Sequence, residues 1–300
     1  MSISGQNLTV VIVTLKSEQV VEECINSIEP NIPIIIVENS NNIVFKKKIE
    51  DKFKNVQCVL TEENLGMGRG NNIGIKLAKT DYVYILNPDV VLEKNTLQNI
   101  YLASKEIEDF SILTPLNLNK DFPNWKNNIS NNYDNLKPFK VDSVDGYSML
   151  INKKKFNNNF FDENIFLFLE NDDLCLRVKK MNGSIYIIPQ SKINHKGSAA
   201  INPKYKDEIE FSRNWHWIWS KFYFQKKHFG FFKASIYGFP IFFRSIIKFV
   251  FFLLINNKKK KKIYFNRTSG YINALLGKPS WYRPNLKDQW PGNSIKFSIL

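Results

Sequence analysis

The sequence predicts an α/β fold in which helices flank a mostly parallel sheet, followed by a basic, aromatic, helical C-terminal extension. Short β-branched runs alternate with helical patterns in the first 115 residues, which is typical of βαβ units around a parallel sheet. The net charge of +14 comes from the last third of the chain, where residues 205–300 contain 18 Lys and Arg but only 4 Asp and Glu. We therefore expect one domain over residues 1–204 and a separate extension over residues 205–300.

Composition and the first residues predict a cytoplasmic protein with a well-formed core. The 300 residues are 43% hydrophobic, which is enough to bury such a core. The three cysteines, Cys24, Cys58 and Cys175, form no C-x-x-C pair, so neither a disulfide framework nor a zinc site is encoded. Residues 1–6 are polar and contain no basic region before the apolar run 8–13, which argues against a signal peptide.

Hydrophobic periodicity predicts the secondary structure of the first domain. Strands are predicted at residues 8–14, 33–37, 56–60 and 82–86, with regular structure again over 144–151 and a final strand over 184–188. Helices are predicted over residues 94–107 and 171–181. Two earlier helices are predicted from their apolar faces: Val20, Val21, Cys24, Ile25 and Ile28 in one, and Ile73 with Leu77, after Asn71 as N-cap, in the other.

A long loop is predicted between these elements. Residues 117–135 contain eight asparagines and few apolar side chains, so we expect an irregular segment that covers a site.

Two segments at the ends of predicted strands could bind a nucleotide, as ligands of open α/β sheets bind at the carboxyl ends of strands. Glu38 and Asn39 follow the second strand and could bind a pyrimidine base or a ribose, although a plain turn is the alternative. The glycine-rich segment with Gly66, Gly68 and Arg69 could approach a diphosphate through its backbone amides. A purely structural turn is again the alternative.

Asp89 and His195 are candidate metal ligands. Asp89 follows the fourth strand and the stiffening Pro88, so its carboxylate could bind Mg²⁺ or Mn²⁺. An aspartate in a proline turn is the structural alternative. His195 could be a second ligand and would favour Mn²⁺, whereas a lone histidine is more often structural.

Glu170, Asp172 and Asp173 are candidates for the general base. Three carboxylates within four residues crowd negative charge, which raises pKa values and suits a base or a metal contact. Acidic residues also stabilise a helix N-terminus for structural reasons. The apolar segment 166–169 immediately before them favours the functional interpretation.

The ordered motifs resemble the inverting family 2 glycosyltransferases with the GT-A fold. The chain is most similar to the rhamnosyltransferase-like branch, which builds bacterial surface polysaccharides, and the match covers nearly all of residues 8–200. The resemblance rests on Val-Ile-Val-Thr at 11–14, Val-Glu-Asn-Ser at 37–40, Glu-Asn-Leu-Gly-Met-Gly-Arg-Gly-Asn-Asn at 63–72, Leu-Asn-Pro-Asp at 86–89, Val-Asp-Gly at 144–146, Glu-Asn-Asp-Asp-Leu-Cys-Leu-Arg at 170–177 and His-Lys-Gly-Ser at 195–198.

The resemblance implies roles for the residues on the donor side. Thr14 and Glu38 would contact a uracil or thymine nucleoside, and the glycine segment through Asn72 would line the donor pocket. Asp89 would be the last acid of the metal motif, with Asn87 at a position where many members have Asp. Asp145 would face the donor sugar or the acceptor, and His195 would lie beside the metal and the diphosphate.

The resemblance also implies an inverting mechanism with one uncertain position. Asn171 stands where relatives often have an aspartate, and an asparagine cannot accept a proton usefully at neutral pH. The base would then be Glu170 or Asp172, of which we favour Glu170, while Asp173 and Arg177 would hold the helix in place. A single in-line displacement, assisted by Mn²⁺ or Mg²⁺, would invert the anomeric carbon.

The extension is expected to meet the inner face of the plasma membrane. Pro240 and charged residues interrupt its apolar segment, whose longest uncharged stretch, 234–243, is too short to cross a bilayer, since crossing takes about 20 residues. An in-plane amphipathic element followed by Lys258–Lys262 would lie on anionic lipid. Segments 213–217, 223–224 and 277–284 resemble the extension of the same branch, which is thought to dock where polyprenyl-linked acceptors reside.

Two other functions remain open from the residues. A sugar-nucleotide nucleotidyltransferase should have a glycine-rich basic loop after the first strand, and residues 14–18 lack one. A nucleic-acid-binding module is suggested by the interleaved Lys, Trp and Tyr of the extension. We expect a nucleotide-sugar donor, a lipid-linked saccharide acceptor and an anionic membrane as partners, and no nucleic acid.

Overall fold

The computed structural model describes residues 5, 7–119, 123–126, 137–195, 197 and 200–286. The predicted loop 117–135, Lys196, Ser198 and the end of the extension lie largely or wholly outside these residues. Within them the strands are β1 Leu8–Thr14, β2 Ile34–Glu38, β3 Val56–Leu60, β4 Tyr82–Leu86, β5 Val90–Leu92, β6 Ile112–Asn117, β7 Trp125–Lys126, β8 Phe139–Lys140, β9 Ser143–Val144, β10 Ser148–Asn152 and β11 Ile185–His195. The helices are α1 Val21–Asn26, α2 Ile43–Lys52, α3 Gly66–Leu77, α4 Thr96–Glu106, α5 Glu170–Lys180, α6 Lys206–Phe229, α7 Phe231–Leu254 and α8 Lys258–Leu275.

The central sheet has the strand order β3-β2-β1-β4-β10-β6-β11-β5, with β8 beside β11. Strands β1 to β4 are mutually parallel, β11 is parallel to β6, and β10 runs antiparallel between β4 and β6. This mostly parallel sheet between helices confirms the predicted fold class. Because β1 is buried at every residue, its apolar side chains reach core clusters on both faces of the sheet.

Helix α3 begins at Gly66, so the prediction that a helix starts after Asn71 is wrong. The glycines lie within the helix, on its buried face, instead of forming a separate loop before it. A Cβ at Gly74 would lie 2.3 Å from Val11 Cγ1, and one at Gly70 would lie 2.9 Å from Val13 Cγ1. These two glycines therefore let α3 approach β1 more closely than any other residue would allow.

The extension, residues 205–286, has its own hydrophobic core. Trp215, Trp219 and Phe222 of α6 pack with Ala234 of α7 and Tyr271 of α8. The side-chain contacts show that α6 and α8 run in the same direction and that α7 runs opposite to both. The C-terminal ends of α6 and α8 consequently lie beside the N-terminal end of α7.

Helix α7 continues through Pro240, so the prediction that this proline breaks the apolar segment is wrong. A proline inside a helix removes one backbone hydrogen bond and kinks the helix, but the packing against α6 and α8 keeps it continuous here. Contrary to the sequence expectation, α7 is long and apolar enough to cross a membrane by length and composition, and 6% of its apolar window is buried. It is the single helix of this kind in the described residues.

Candidate active site

The carboxyl ends of the parallel strands bring several predicted residues to one edge of the sheet. Thr14 ends β1 and lies in register with Glu38 at the end of β2. Asn87 and Asp89 follow β4, which neighbours β1 on its other side. Two oxygens at this edge, Thr14 Oγ1 and Asn87 Oδ1, are buried without a hydrogen-bond partner among the described residues, and so is Glu170 Oε2 at the start of α5. Such buried oxygens are expected where a ligand completes the hydrogen bonding.

Glu38 and Asn39 hold the loop after β2 through their side chains. The buried carboxylate of Glu38 accepts hydrogen bonds from the backbone N–H groups of Ser40 and Asn42 and from the Ser40 hydroxyl. The Asn39 amide donates to the Gly66 carbonyl at 3.1 Å and accepts from Thr61. The nucleoside pocket predicted at these two residues therefore has a rigid wall, since both side chains are already fixed.

Asp89 and His195 lie side by side although 106 positions separate them in the sequence. The short strand β5 pairs antiparallel with the end of β11, and this pairing aligns Val90 with His195. As a result, His195 Nε2 lies 3.5 Å from Asp89 Oδ1. The Asp89 side chain is buried, whereas that of His195 is 20% exposed, so the pair can be reached from one side.

This pair could hold a divalent cation. Asp89 offers a carboxylate, His195 an imidazole and Asn87 a buried amide oxygen, a mixed set of ligands that suits Mn²⁺. No group of three or more His, Cys, Asp or Glu side chains that could hold a metal occurs in the described residues.

Tyr147 supports His195, and the sequence analysis did not identify it. Its ring stacks on the imidazole with centroids 4.0 Å apart, and its hydroxyl accepts a hydrogen bond from the Asn117 amide. The Tyr147 carbonyl also accepts from the Asn87 N–H at 2.8 Å. Tyr147 follows the Val-Asp-Gly motif directly, and this position was the one available signal of its role.

Asp145 and Asp172 extend the site from the metal pair toward α5. Burial raises the pKa of Asp145, Asp172 nearby raises it further, and Lys126 and His195 lower it. Lys126 Nζ lies 3.5 Å from Asp172 Oδ1. Asn171 donates to the Val144 carbonyl, one residue before Asp145, so this asparagine ties α5 to the Val-Asp-Gly motif.

Glu170 is the first residue of α5 and has an unusual acidity. Burial of its carboxylate, with Asp172 nearby, raises its pKa to about 7. The two residues before it, Phe168 and Leu169, both have positive φ, at 70° and 66°. Left-handed backbone is costly for such bulky residues and is often retained at functional sites.

Asp173 serves the packing of α5 instead of facing the site. Its side chain is fully buried, and its oxygens bind Arg177 at 2.9 Å, Lys227 at 2.6 Å and His228 at 2.8 Å. Two of these partners belong to α6, so the acid joins the body, residues 7–200, to the extension. Three cationic or imidazole groups already contact its carboxylate, which fits the expectation that Asp173 and Arg177 hold the helix in place, while a catalytic role for Asp173 stays a prediction.

The residues of α3 that were predicted to bind the diphosphate contact different parts of the protein. A Cβ on Gly66 would meet the Phe166 carbonyl at 2.2 Å, and Gly68 packs on Phe161. The Asn72 amide binds the backbone of Phe161 and the carboxylate of Glu163, and Arg69 pairs with Glu163 at 3.7 Å. The structure therefore places Gly68, Arg69 and Asn72 against segment 161–166, while Gly66 also contacts Asn39 at the sheet edge.

Solved structures of glycosyltransferases share this fold. The mannosyltransferase PcManGT from Pyrobaculum calidifontis, solved with GDP-Man and Mn²⁺, has a TM-score of 0.55 at 11% identity, over 91% of this chain and 88% of that one. GalNAc-T7, solved with UDP, GalNAc and Mn²⁺, has a TM-score of 0.53 at 16% identity, over 70% of this chain and 51% of that one. At such identities the likeness shows the fold alone, which is the GT-A type.

The sequence assigns the family. Residues 9–175 match glycosyl transferase family 2, and the chain therefore belongs to that family. It is 24% identical over 200 residues to the low-salt glycan biosynthesis hexosyltransferase Agl10 of Haloferax volcanii. That match covers 60% of this chain and 64% of the relative, so the chain spans less than two thirds of the relative's length.

Proposed function

We propose that the protein is an inverting, metal-dependent glycosyltransferase. It transfers a sugar from a UDP- or dTDP-sugar to a hydroxyl group of a lipid-linked saccharide during the synthesis of a cell-surface polysaccharide. The observation that supports this best is the position of Glu170, an acid with a pKa of about 7 at the start of α5. Through Asp172 and Asp145, a line of neighbouring charges connects it to the Asp89–His195 pair.

Glu170 is proposed as the general base. An acid with a pKa near the working pH suits a general base. A useful fraction of it is ionised, and the ionised form is basic enough to accept a proton. It would take the proton of the acceptor hydroxyl while that oxygen attacks the anomeric carbon from the side opposite the nucleotide. Asp172, ion-paired to Lys126, is placed to orient the acceptor or to keep Glu170 basic.

Asp89, His195 and Asn87 are proposed to hold Mn²⁺ or Mg²⁺ together with the donor diphosphate. When bound, the cation neutralises negative charge on the departing nucleoside diphosphate. Tyr147 fixes the imidazole of His195, and Thr14 with Glu38 and Asn39 forms the wall against the nucleoside. The relatives solved with UDP or GDP-Man and Mn²⁺ support a nucleotide-sugar donor of this kind.

The extension is proposed to rest on the membrane surface through α7. Seven apolar side chains form one stripe along this helix, each 45 to 79% exposed: Phe232, Ile236, Phe239, Phe243, Ile247, Val250 and Leu254. Their spacing of three or four residues puts them on one face, away from α6 and α8. Lys258–Lys262 follows at the start of α8, and such a basic run favours anionic lipid. The proposal agrees with the resemblance of segments 213–217, 223–224 and 277–284 to the extension of the rhamnosyltransferase-like branch.

A thermal-shift panel tests the donor assignment. UDP-, dTDP- and GDP-sugars are added with Mn²⁺ to the wild-type protein and to Asp89→Asn. We expect stabilisation by one nucleotide class in the wild type only, since a ligand at free concentration L that binds the folded state stabilises it by RT ln(1 + L/Kd). Release of the nucleoside diphosphate, and inversion of the anomeric configuration in the product, then test the reaction. Equal shifts in both proteins would contradict the proposal.

A further inference from the structure

A cavity of about 570 Å³ lies between the body and the extension, and the proposed donor site does not account for it. The body contributes Leu65, Arg69 and Phe166, and the extension contributes Trp219, Tyr223 and the segment from Gly277 to Arg283. The volume is in the range of ordinary ligand sites, which is roughly 300 to 1,000 Å³. Both parts of the chain are needed to form it.

Five of the fifteen residues that line the cavity have cationic side chains. Glu163 is its one lining carboxylate in the described residues, and it pairs with Arg69 at 3.7 Å. Lys227 is also neutralised, by Asp162 and Asp173. The cationic side chains that line the cavity are Arg69, Lys226, Lys227, Lys278 and Arg283.

The remaining three cations give the cavity a surplus of positive charge. In the part of the chain that the structure describes, Lys226 and Lys278 take part in none of the ion pairs. The Arg283 guanidinium donates to the carbonyl oxygens of Asn64 and Ser280 and lies 3.9 Å from the centroid of the Phe166 ring. The carbonyl groups and the aromatic ring leave the guanidinium charged. The carboxylate of Glu63 acts on it from nearby but forms no ion pair with it in the described residues, so the cavity still favours an anion.

An exposed apolar surface borders this cationic cavity. Lys226 Nζ lies 5.9 Å above the Phe231 ring, and Phe231 and Phe232 begin α7 with 53% and 79% of their surface exposed. Leu276, which precedes the lining residue Gly277, is 64% exposed. A ligand that occupies the cavity can therefore continue along the apolar stripe of α7. This combination fits an anion with a long apolar chain and does not fit a nucleic acid.

We propose that this cavity binds the phosphate or diphosphate group of the lipid-linked acceptor, whose apolar chain runs along the α7 stripe. The inference rests on the proposed function, which requires such an acceptor. Lysine and arginine clusters are well suited to phosphate oxygens. Phe166 lines the cavity and lies four residues before Glu170, so the segment that forms the cavity wall leads directly to the proposed base.

Binding of short prenyl diphosphates to the full-length protein tests the assignment. Microscale thermophoresis would measure farnesyl diphosphate, farnesol and inorganic diphosphate against wild type, Lys226→Gln/Lys278→Gln and the matched control Lys47→Gln/Lys54→Gln. The control removes the same charge from two exposed lysines in and just after α2, which belong to neither the cavity nor the basic run of α8. We expect farnesyl diphosphate to bind more tightly than either fragment, and the cavity variant to lose about tenfold or more, as for charge-assisted hydrogen bonds, while the control binds as wild type does.

Three results would overturn the assignment. Equal losses in both variants would indicate general surface charge, and equal affinity for inorganic diphosphate would remove the role of the apolar chain. A parallel loss of UDP binding with Mn²⁺ in the cavity variant would assign the cavity to the donor. Sugar transfer is measured separately, so an absence of transfer with intact prenyl diphosphate binding would contradict the proposed function but not the cavity assignment.

Discussion

The carboxyl group of Glu170 reaches a pKa of about 7 because it is buried and because Asp172 adds negative charge nearby. Its ordinary value is 4.5, so the folded protein favours the neutral form. Ionisation of Glu170 therefore reduces the free energy of unfolding as the pH rises above 4.5, and the cost is complete once the pH passes about 7. An acid retained at such a cost is a strong candidate for proton transfer.

Replacement of Glu170 tests the base at the residue scale. Glu170→Gln should lower kcat by about a hundredfold or more, the usual contribution of a general base, while leaving nucleotide binding intact. The wild-type kcat/KM should rise through pH 7 to a plateau, since the deprotonated form is required. Thermal unfolding gives a second readout, because the variant should gain stability over wild type at pH 8 but not at pH 4.

Asp172→Asn is the control for that prediction. This variant removes a carboxylate two residues further along α5 and should reduce activity less than Glu170→Gln does. It should also shift the acidic limb of the pH profile to lower pH, since Asp172 helps to raise the pKa of Glu170. If Asp172→Asn lost all activity while Glu170→Gln kept most of it, the base would be Asp172.

At the scale of elements, the sequence predicts the strands well and misses how they pair. Buried β-branched runs fixed the positions of β1, β3 and β4, and Asp89 could be found because it follows one of them. The approach of His195 to Asp89 depends on the pairing of β5 with β11, which is a contact between distant segments. Local periodicity contains no information on such pairings. The role of Tyr147 could not be predicted for the same reason, because it depends on contact with the distant His195.

The start of α3 shows a second limit. Glycines usually indicate a turn or a loop, so the sequence predicts that the glycine-rich segment precedes the helix. In the structure, Gly70 and Gly74 lie within the helix. Glycine is needed there because β1 lies directly beneath and leaves no room for a Cβ. Their low helix propensity is overridden by a packing requirement that appears only in three dimensions.

Substitution of Gly74 tests this packing. Alanine would gain about 1 kcal/mol of helix propensity, but its Cβ would lie 2.3 Å from Val11 Cγ1. We expect Gly74→Ala to lower the free energy of unfolding by about 1–3 kcal/mol, as overpacking does, measured by urea denaturation. When Val11 is already replaced by alanine, Gly74→Ala should cost less stability than it does in the wild type, because the clashing Val11 Cγ1 is gone. A stable single variant would show that α3 can move away from β1 at little cost.

On the scale of the whole molecule, the body and the extension act as one unit. Asp173 of α5 binds Lys227 and His228 of α6, and Arg283 reaches the carbonyl of Asn64. The sequence predicted two parts from charge alone, but these joining contacts could not be read from it. The proposed membrane contact of α7 would thereby hold the whole sheet edge at a fixed orientation to the lipid.

Binding to vesicles tests the α7 stripe. Phe243→Ser/Ile247→Ser removes two stripe residues that are 56% and 53% exposed. Each apolar side chain buried in lipid contributes about 1.5–3 kcal/mol, so binding to anionic vesicles should fall at least about tenfold in a sedimentation assay. The control Ile43→Ser/Val44→Ser removes apolar residues of α2 that are 58% and 73% exposed, at least as much as the stripe residues, and should bind as the wild type does. Similar losses in both variants would contradict a specific role for α7.

The central claim is that Asp89, His195 and Glu170 surround one activated sugar nucleotide at the carboxyl edge of the sheet. An anomalous diffraction map of a crystal soaked with Mn²⁺ and UDP tests it most directly. We predict a manganese peak in contact with Asp89 and His195, with the diphosphate bound to it on the side that faces Glu170. A peak elsewhere, or a nucleotide bound on the far side of the sheet from Glu170, would contradict the claim.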